Sequence, residues 1–204
     1  FTLFVVMCKT EGASIPQPIV PLLSDIGQHW AKATIEILVG QGIVSGYTDG
    51  TFRPDNTITR AEFATLLVKV LKLEGTGSGR IFADTASHWA RDTIAIAESS
   101  GIVSGYVENT FGPNDPITRE QMAIMAVKAV KFTSVSEEMT FIDNTQISSW
   151  AKSGVSAAVK NGIMSGYPNN TFKPQGTATR AEAVTVIYNL LLSIGKYETT
   201  TTVD

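Results

Sequence analysis

A chain of 204 residues, 43% hydrophobic and 17% charged, can bury a substantial core and leaves room for one domain or a few small units. Its formal charge of -3 and pI near 5.4 exclude a net-basic nucleic-acid binder, so any anion binding must come from local geometry. The single cysteine, Cys8, excludes an internal disulfide framework and a cysteine-rich zinc site.

Phe1 to Met7 is an apolar run with no basic residues before it. It reads as the trimmed end of a signal sequence or as a strand left from a preceding domain. Cys8 raises a lipoprotein reading, but Met7 is bulkier than the small residue expected before a lipidated cysteine. Residues 9–21, with Pro16, Pro18 and Pro21, read as an extended linker, so 1–21 stand apart from the rest of the chain. No later stretch reaches the ~18 uninterrupted apolar residues of a transmembrane helix.

From residue 22 onward the chain repeats. Trp30, Trp89 and Trp150 are 59 and 61 residues apart, and the same two intervals separate Gly42, Gly101 and Gly162. They also separate the Ser-Gly-Tyr triplets at Ser45, Ser104 and Ser165 and the arginines Arg60, Arg119 and Arg180. These landmarks delimit three units, 22–74, 81–133 and 140–192. Gly75, Gly77 and Gly79 lie in the first linker, Thr133 to Thr140 form the second, and a polar tail runs over 193–204. The period exceeds that of the common solenoid repeats.

Each unit reads as helix, loop, helix. The first helix starts near the tryptophan and carries one apolar stripe: Ala31, Ile35 and Leu38; Ala90, Ile94 and Ala97; Ala151, Val155 and Ala158. It ends at Gly42, Gly101 or Gly162 with an isoleucine behind, the pattern of a Schellman cap. In the loop, Gly50, Asn109 and Asn170 supply residue types that tolerate positive φ. Phe52, Phe111 and Phe172 are expected to anchor that loop to the core. Thr59-x-x-Glu62, Thr118-x-x-Gln121 and Thr179-x-x-Glu182 are capping boxes that start a second helix, apolar nearly all round and therefore buried. The expected fold is all-α: three helix–loop–helix repeats in a pseudo-threefold module around a central three-helix bundle.

The capping box does not explain its own arginine. Arg60, Arg119 and Arg180 take the first helical position, where the helix dipole disfavours a cation by roughly 0.3–1 kcal/mol. One such residue is uninformative; three equivalent ones point to anion binding, since a guanidinium grips a carboxylate bidentately beside free helix N-terminal amides. Core packing is the first expectation for Trp30, Trp89 and Trp150, with stacking on a sugar face as the alternative. Gly46, Gly105 and Gly166 are either turn formers or openings that let backbone amides reach a ligand. Tyr47, Tyr106 and Tyr167 fit either role. Asp25, Asp84 and Asp143 are expected to cap or order the start of the first helices. His29 and His88 have no counterpart in the third repeat and no metal-binding spacing, so neither metal nor cofactor is expected. No phosphate loop, nucleophile elbow or Cys/His arrangement suggests an enzyme.

The run HWAKATIEILVGQGIVSGYTDGTFRPDNTITRAE, His29 to Glu62, closely resembles an S-layer homology motif, and two further copies come after it. The resemblance covers about 170 of the 204 residues. It implies a module holding proteins on the bacterial cell wall, outside the cell, by non-covalent binding of a secondary cell-wall polysaccharide that carries ketal-linked pyruvate. It further implies grooves between repeats in which the motif arginine meets the acidic sugar. Repeat two departs with TREQ for TRAE. Repeat three has Ser149 in place of histidine, Ala178 in place of isoleucine and two extra residues between Asp143 and Trp150, which bear on its loop and one groove. The rival reading is a self-assembly domain contacting other surface-layer subunits; a wall-modifying enzyme is a third. Oligomers indifferent to pyruvate removal would mark the rival, and turnover of wall glycans the enzyme.

Overall fold

In a computed structural model of the chain, the structure describes residues 22–75, 79–107, 109–133 and 139–195. The expectations for 1–21 and Cys8, for Gly77, for most of the second linker and for the tail beyond 195 lie outside the described residues.

Among the described residues the fold is all-α, with no strand. Three short helices, α1 (Lys32–Gly40), α3 (Arg91–Ser99) and α5 (Lys152–Lys160), alternate with three second helices, α2 (Arg60–Leu71), α4 (Arg119–Ala129) and α6 (Arg180–Ser193). The short helices end as expected. Gly42, Gly101 and Gly162 sit at φ of 68°, 74° and 67°. The amides behind them, of Ile43, Ile102 and Ile163, bond back to Leu38, Ala97 and Ala158 at 2.9 Å each, closing Schellman caps. All three second helices begin with a complete capping box, Gln121 serving as well as Glu62 and Glu182.

The second helices touch one another pairwise and form the centre of the core. Each first helix packs on the second helix of the preceding repeat: α3 on α2, α5 on α4, and α1 on α6, which closes the ring. The sequence repeat is therefore not a folding unit, because its two helices bury their apolar faces against different neighbours. Backbone bonds close the same ring. The Ile58 amide donates to the Ala178 carbonyl, Ile117 to Ile58, and Ala178 to Ile117, at 3.1, 3.0 and 2.9 Å. Phe52, Phe111 and Phe172 are fully buried at the loop ends, as anchors should be.

The aspartates do something other than cap the first helices. Asp25 accepts from the amides of Phe52 and Arg53 at 2.8 and 2.6 Å, and Asp84 accepts from Phe111 and Gly112. Asp143 accepts from Phe172 and Lys173 at 2.8 and 2.7 Å. The second amide of each pair belongs to a left-handed residue, Arg53, Gly112 or Lys173, with φ of 57°, 71° and 52°. The carboxylate thus clamps a backbone bend that L-residues adopt only at a cost. The start of the first helix is ordered instead by His29 and His88, whose Nδ1 atoms accept from the amides of Ala31 and Ala90.

Repeat three keeps its loop despite its departures. Tyr167 and Asn170 make the same backbone pairing as Tyr47 and Gly50, and Asn170 is left-handed at 59°. Its extra residues are held by Glu120, which is 2% exposed and accepts from the Ser148 amide, the Ser148 hydroxyl and Gln175 Nε2 at 3.0, 2.9 and 2.8 Å. The two departures, TREQ in repeat two and the insertion in repeat three, are therefore partners.

Candidate ligand-binding grooves

The motif arginine is a staple between repeats. Arg60 Nε donates to the Phe111 carbonyl at 3.0 Å and Nη2 to the Ser104 carbonyl at 3.2 Å. Arg119 makes the same bonds to Phe172 and Ser165, at 2.8 and 2.9 Å, and Arg180 Nε reaches the Phe52 carbonyl at 3.0 Å. Each guanidinium lies between two rings of the next loop: Tyr106 and Phe111, Tyr167 and Phe172, or Tyr47 and Phe52, at 4.1–5.0 Å from the ring centres. Carbonyl oxygens and ring faces offset the unfavourable dipole position, which gives these residues a structural reason the sequence could not show.

The helix N-termini are not free, contrary to the expectation of open amides for an anion. The amides of Arg60 and Ala61 donate to the carbonyls of Asp115 and Pro113, those of Arg119 and Glu120 to Gly176 and Pro174, and those of Arg180 and Ala181 to Asn56 and Pro54. The third amide of each helix goes to the cap threonine. Any anion must be met by side chains or by the loop.

The tryptophans overturn their first expectation. Trp30, Trp89 and Trp150 are 65%, 66% and 57% exposed, because each lies ahead of the buried stripe of its helix. Each borders a groove built mainly by the other two repeats. Trp150 lines a groove of about 370 Å³ with Arg60, the Ser104–Tyr106 loop and the outer face of α4. Trp30 lines one of about 630 Å³ with Arg119, the Ser165–Tyr167 loop and α6. Trp89 lines one of about 200 Å³ with Arg180, Ser45 and α2.

The glycines of the Ser-Gly-Tyr triplets have a steric reason. A Cβ at Gly46, Gly105 or Gly166 would meet the Thr51, Thr110 or Thr171 carbonyl at 2.6–2.8 Å, and Leu23, Phe82 or Phe141 at 2.4–2.8 Å. Gly105 and Gly166 also line their grooves; Gly46 is not among the lining residues of the third. Tyr47 and Tyr106 are partly exposed over their arginines. The Tyr167 hydroxyl donates instead to Glu182 Oε1; burial, then that bond, pushes its pKa up to about 12.

An all-α ring of interlocked helix pairs, with three grooves each assembled from all three repeats, defines a repeat-built helical module. The S-layer homology domain matches the chain three times, over residues 22–64, 81–123 and 141–184, and the chain belongs to that family. It is 42% identical over 178 residues to an amylopullulanase of Thermoanaerobacterium thermosulfurigenes, covering 84% of this chain and 10% of that protein. It is 34% identical to a cellulosome-anchoring protein of Acetivibrio thermocellus, over 71% of this chain and 34% of the relative. Identity is also 34% to an S-layer protein of Bacillus thuringiensis subsp. finitimus, over 78% of this chain and 20% of the relative. The chain thus spans about a third or less of the length of these relatives, and the part shared with the amylopullulanase is a small fraction of that enzyme.

Proposed function

We propose that this module anchors a surface protein to the bacterial cell wall, outside the cell, by binding a pyruvylated secondary cell-wall polysaccharide non-covalently in its inter-repeat grooves. The observation that carries the reading is the triple presentation of an exposed indole beside a groove lined by an arginine and a loop backbone. An indole left more than half exposed at three equivalent places gives up burial that it could have had, and sugar rings stack on such faces. In the Trp150 groove, Arg60 and Tyr106 add a cationic, hydrogen-bonding wall suited to a carboxylate. The names of the relatives, a cellulosome-anchoring protein and an S-layer protein, agree with attachment at the cell surface. The reading needs no chemistry from this chain, and catalysis in such proteins would belong to other domains.

The test is co-sedimentation with purified wall polysaccharide. Replacing Trp30, Trp89 and Trp150 together with alanine should abolish binding while leaving the unfolding midpoint near that of the parent. Undiminished binding by this variant would remove the proposal.

A further inference from the structure

The three grooves differ in charge, and the difference arises at aligned positions. The third residue of the second helix is Glu62, Gln121 or Glu182; nine residues beyond the arginine stands Lys69, Lys128 or Asn189. Arg119 Nη1 is bound by Glu182 at 2.9 Å, and Arg180 Nη1 faces Glu62 at 3.8 Å. Gln121 cannot do this for Arg60, which is 5% exposed and is in none of the ion pairs among the described residues. Arg60 Nη1 has no hydrogen-bond partner there either, and it is not among the sealed, unpartnered side-chain atoms, of which the described residues hold Asn144 Oδ1 alone. It therefore keeps a path to the groove.

The charged residues lining each groove complete the contrast. The Arg60 groove holds two cations, Arg60 and Lys128, and no carboxylate. The Arg180 groove adds Lys69 but also Glu62. The Arg119 groove holds one cation against Glu182 and Asp55. Burial lowers the Arg60 pKa against the opposing fields of Tyr106, Asp115 and Asp84.

We propose that the Arg60 groove is the primary site for a carboxylate-bearing sugar and that Gln121 sets this preference by leaving Arg60 unpaired. The Arg180 groove ranks second, and the Arg119 groove disfavours an anion. This ranking rests on the polysaccharide reading above, and it makes the module a graded set of sites. A long glycan would be seated by its acidic group in one groove.

The three indoles report the grooves separately, Trp150 for Arg60, Trp89 for Arg180 and Trp30 for Arg119. Titration of the chain with a methyl hexoside carrying ketal-linked pyruvate, monitored by the indole N–H resonances, gives one midpoint per groove. The Trp150 signal should move at the lowest concentration and the Trp30 signal at the highest. Gln121→Glu should weaken the Trp150 site about tenfold, a modest part of the energy of two nearby charges, and leave the others in place. This variant is expected to fold, because Glu62 and Glu182 close the same capping box. Movement of Trp30 first, coincident midpoints, or a Trp150 midpoint indifferent to Gln121→Glu would overturn the ranking. Silence of all three indoles would instead remove the polysaccharide reading and the ranking with it.

Discussion

Asp143→Ala should destabilise the module by about 3 kcal/mol. The carboxylate accepts two short backbone bonds, from Phe172 at 2.8 Å and Lys173 at 2.7 Å, and it is buried. A hydrogen bond to a charged group contributes roughly 1.5–3 kcal/mol, and an amide left unmade in a buried setting loses a similar amount. The two bonds share one acceptor group and one bend, so their losses should not add in full. Lys173 contributes a separate strain at φ 52°, for which roughly 1 kcal/mol is ordinary. Lys173→Gly removes that strain, as Gly112 does naturally in repeat two, and should return about 1 kcal/mol in the Asp143→Ala background. Urea unfolding read by far-ultraviolet circular dichroism measures both, with the slope checked for constancy. A loss below about 0.5 kcal/mol for Asp143→Ala, within the range of ordinary surface changes, would refute the clamp. So would destabilisation by Lys173→Gly.

The same geometry makes three further outcomes testable. Burial raises the Asp25 pKa, but the amides of Phe52 and Arg53 outweigh it and hold the net value below the ordinary 3.8. Its stabilising contribution is therefore present above pH 3.8 and lost as pH falls through the lower folded value; Asp25→Asn should flatten the urea midpoint across that acid range, and an unchanged acid slope contradicts it. Tyr167, raised to about 12 from 10.0, contributes stability fully present below pH 10.0 and lost as pH rises toward 12; its late phenolate step should vanish from an ultraviolet titration of Tyr167→Phe, and persistence of that step assigns it elsewhere. Gly105→Ala drives a Cβ to 2.6 Å from the Thr110 carbonyl and 2.8 Å from the Phe82 ring, so overpacking should cost about 2 kcal/mol in the unfolding assay; a neutral result would show that the loop yields.

Local signals are legible in the sequence. Capping boxes, Schellman glycines and the phenylalanine anchors each depend on a few neighbouring residues, and all three sets fold as their patterns imply. Distant partners are not legible. The arginine staples reach carbonyls 44 to 53 residues ahead, or 128 behind where Arg180 closes the ring. Nothing local to ITRAE encodes the loop that receives it. The aspartate clamp leaves a trace: Gly112, where the other copies have Arg53 and Lys173, marks a backbone position of positive φ. Glu120 leaves another, as a carboxylate at a position that is alanine in the other two copies, Ala61 and Ala181. Set beside the insertion before Trp150, it suggests the pairing with Ser148. The tryptophans defy their first expectation because a large apolar side chain near a helix start is usually buried, whereas these stand ahead of the stripe that turns inward.

The most direct test of the account compares native wall polysaccharide with the same polymer after mild acid removes its ketal-linked pyruvate. Binding of the chain to the native polymer, weakened by added salt as exposed charge pairs are screened and reduced at least about tenfold on the depyruvylated polymer, is the predicted result. Equal affinity for the two polymers would contradict it.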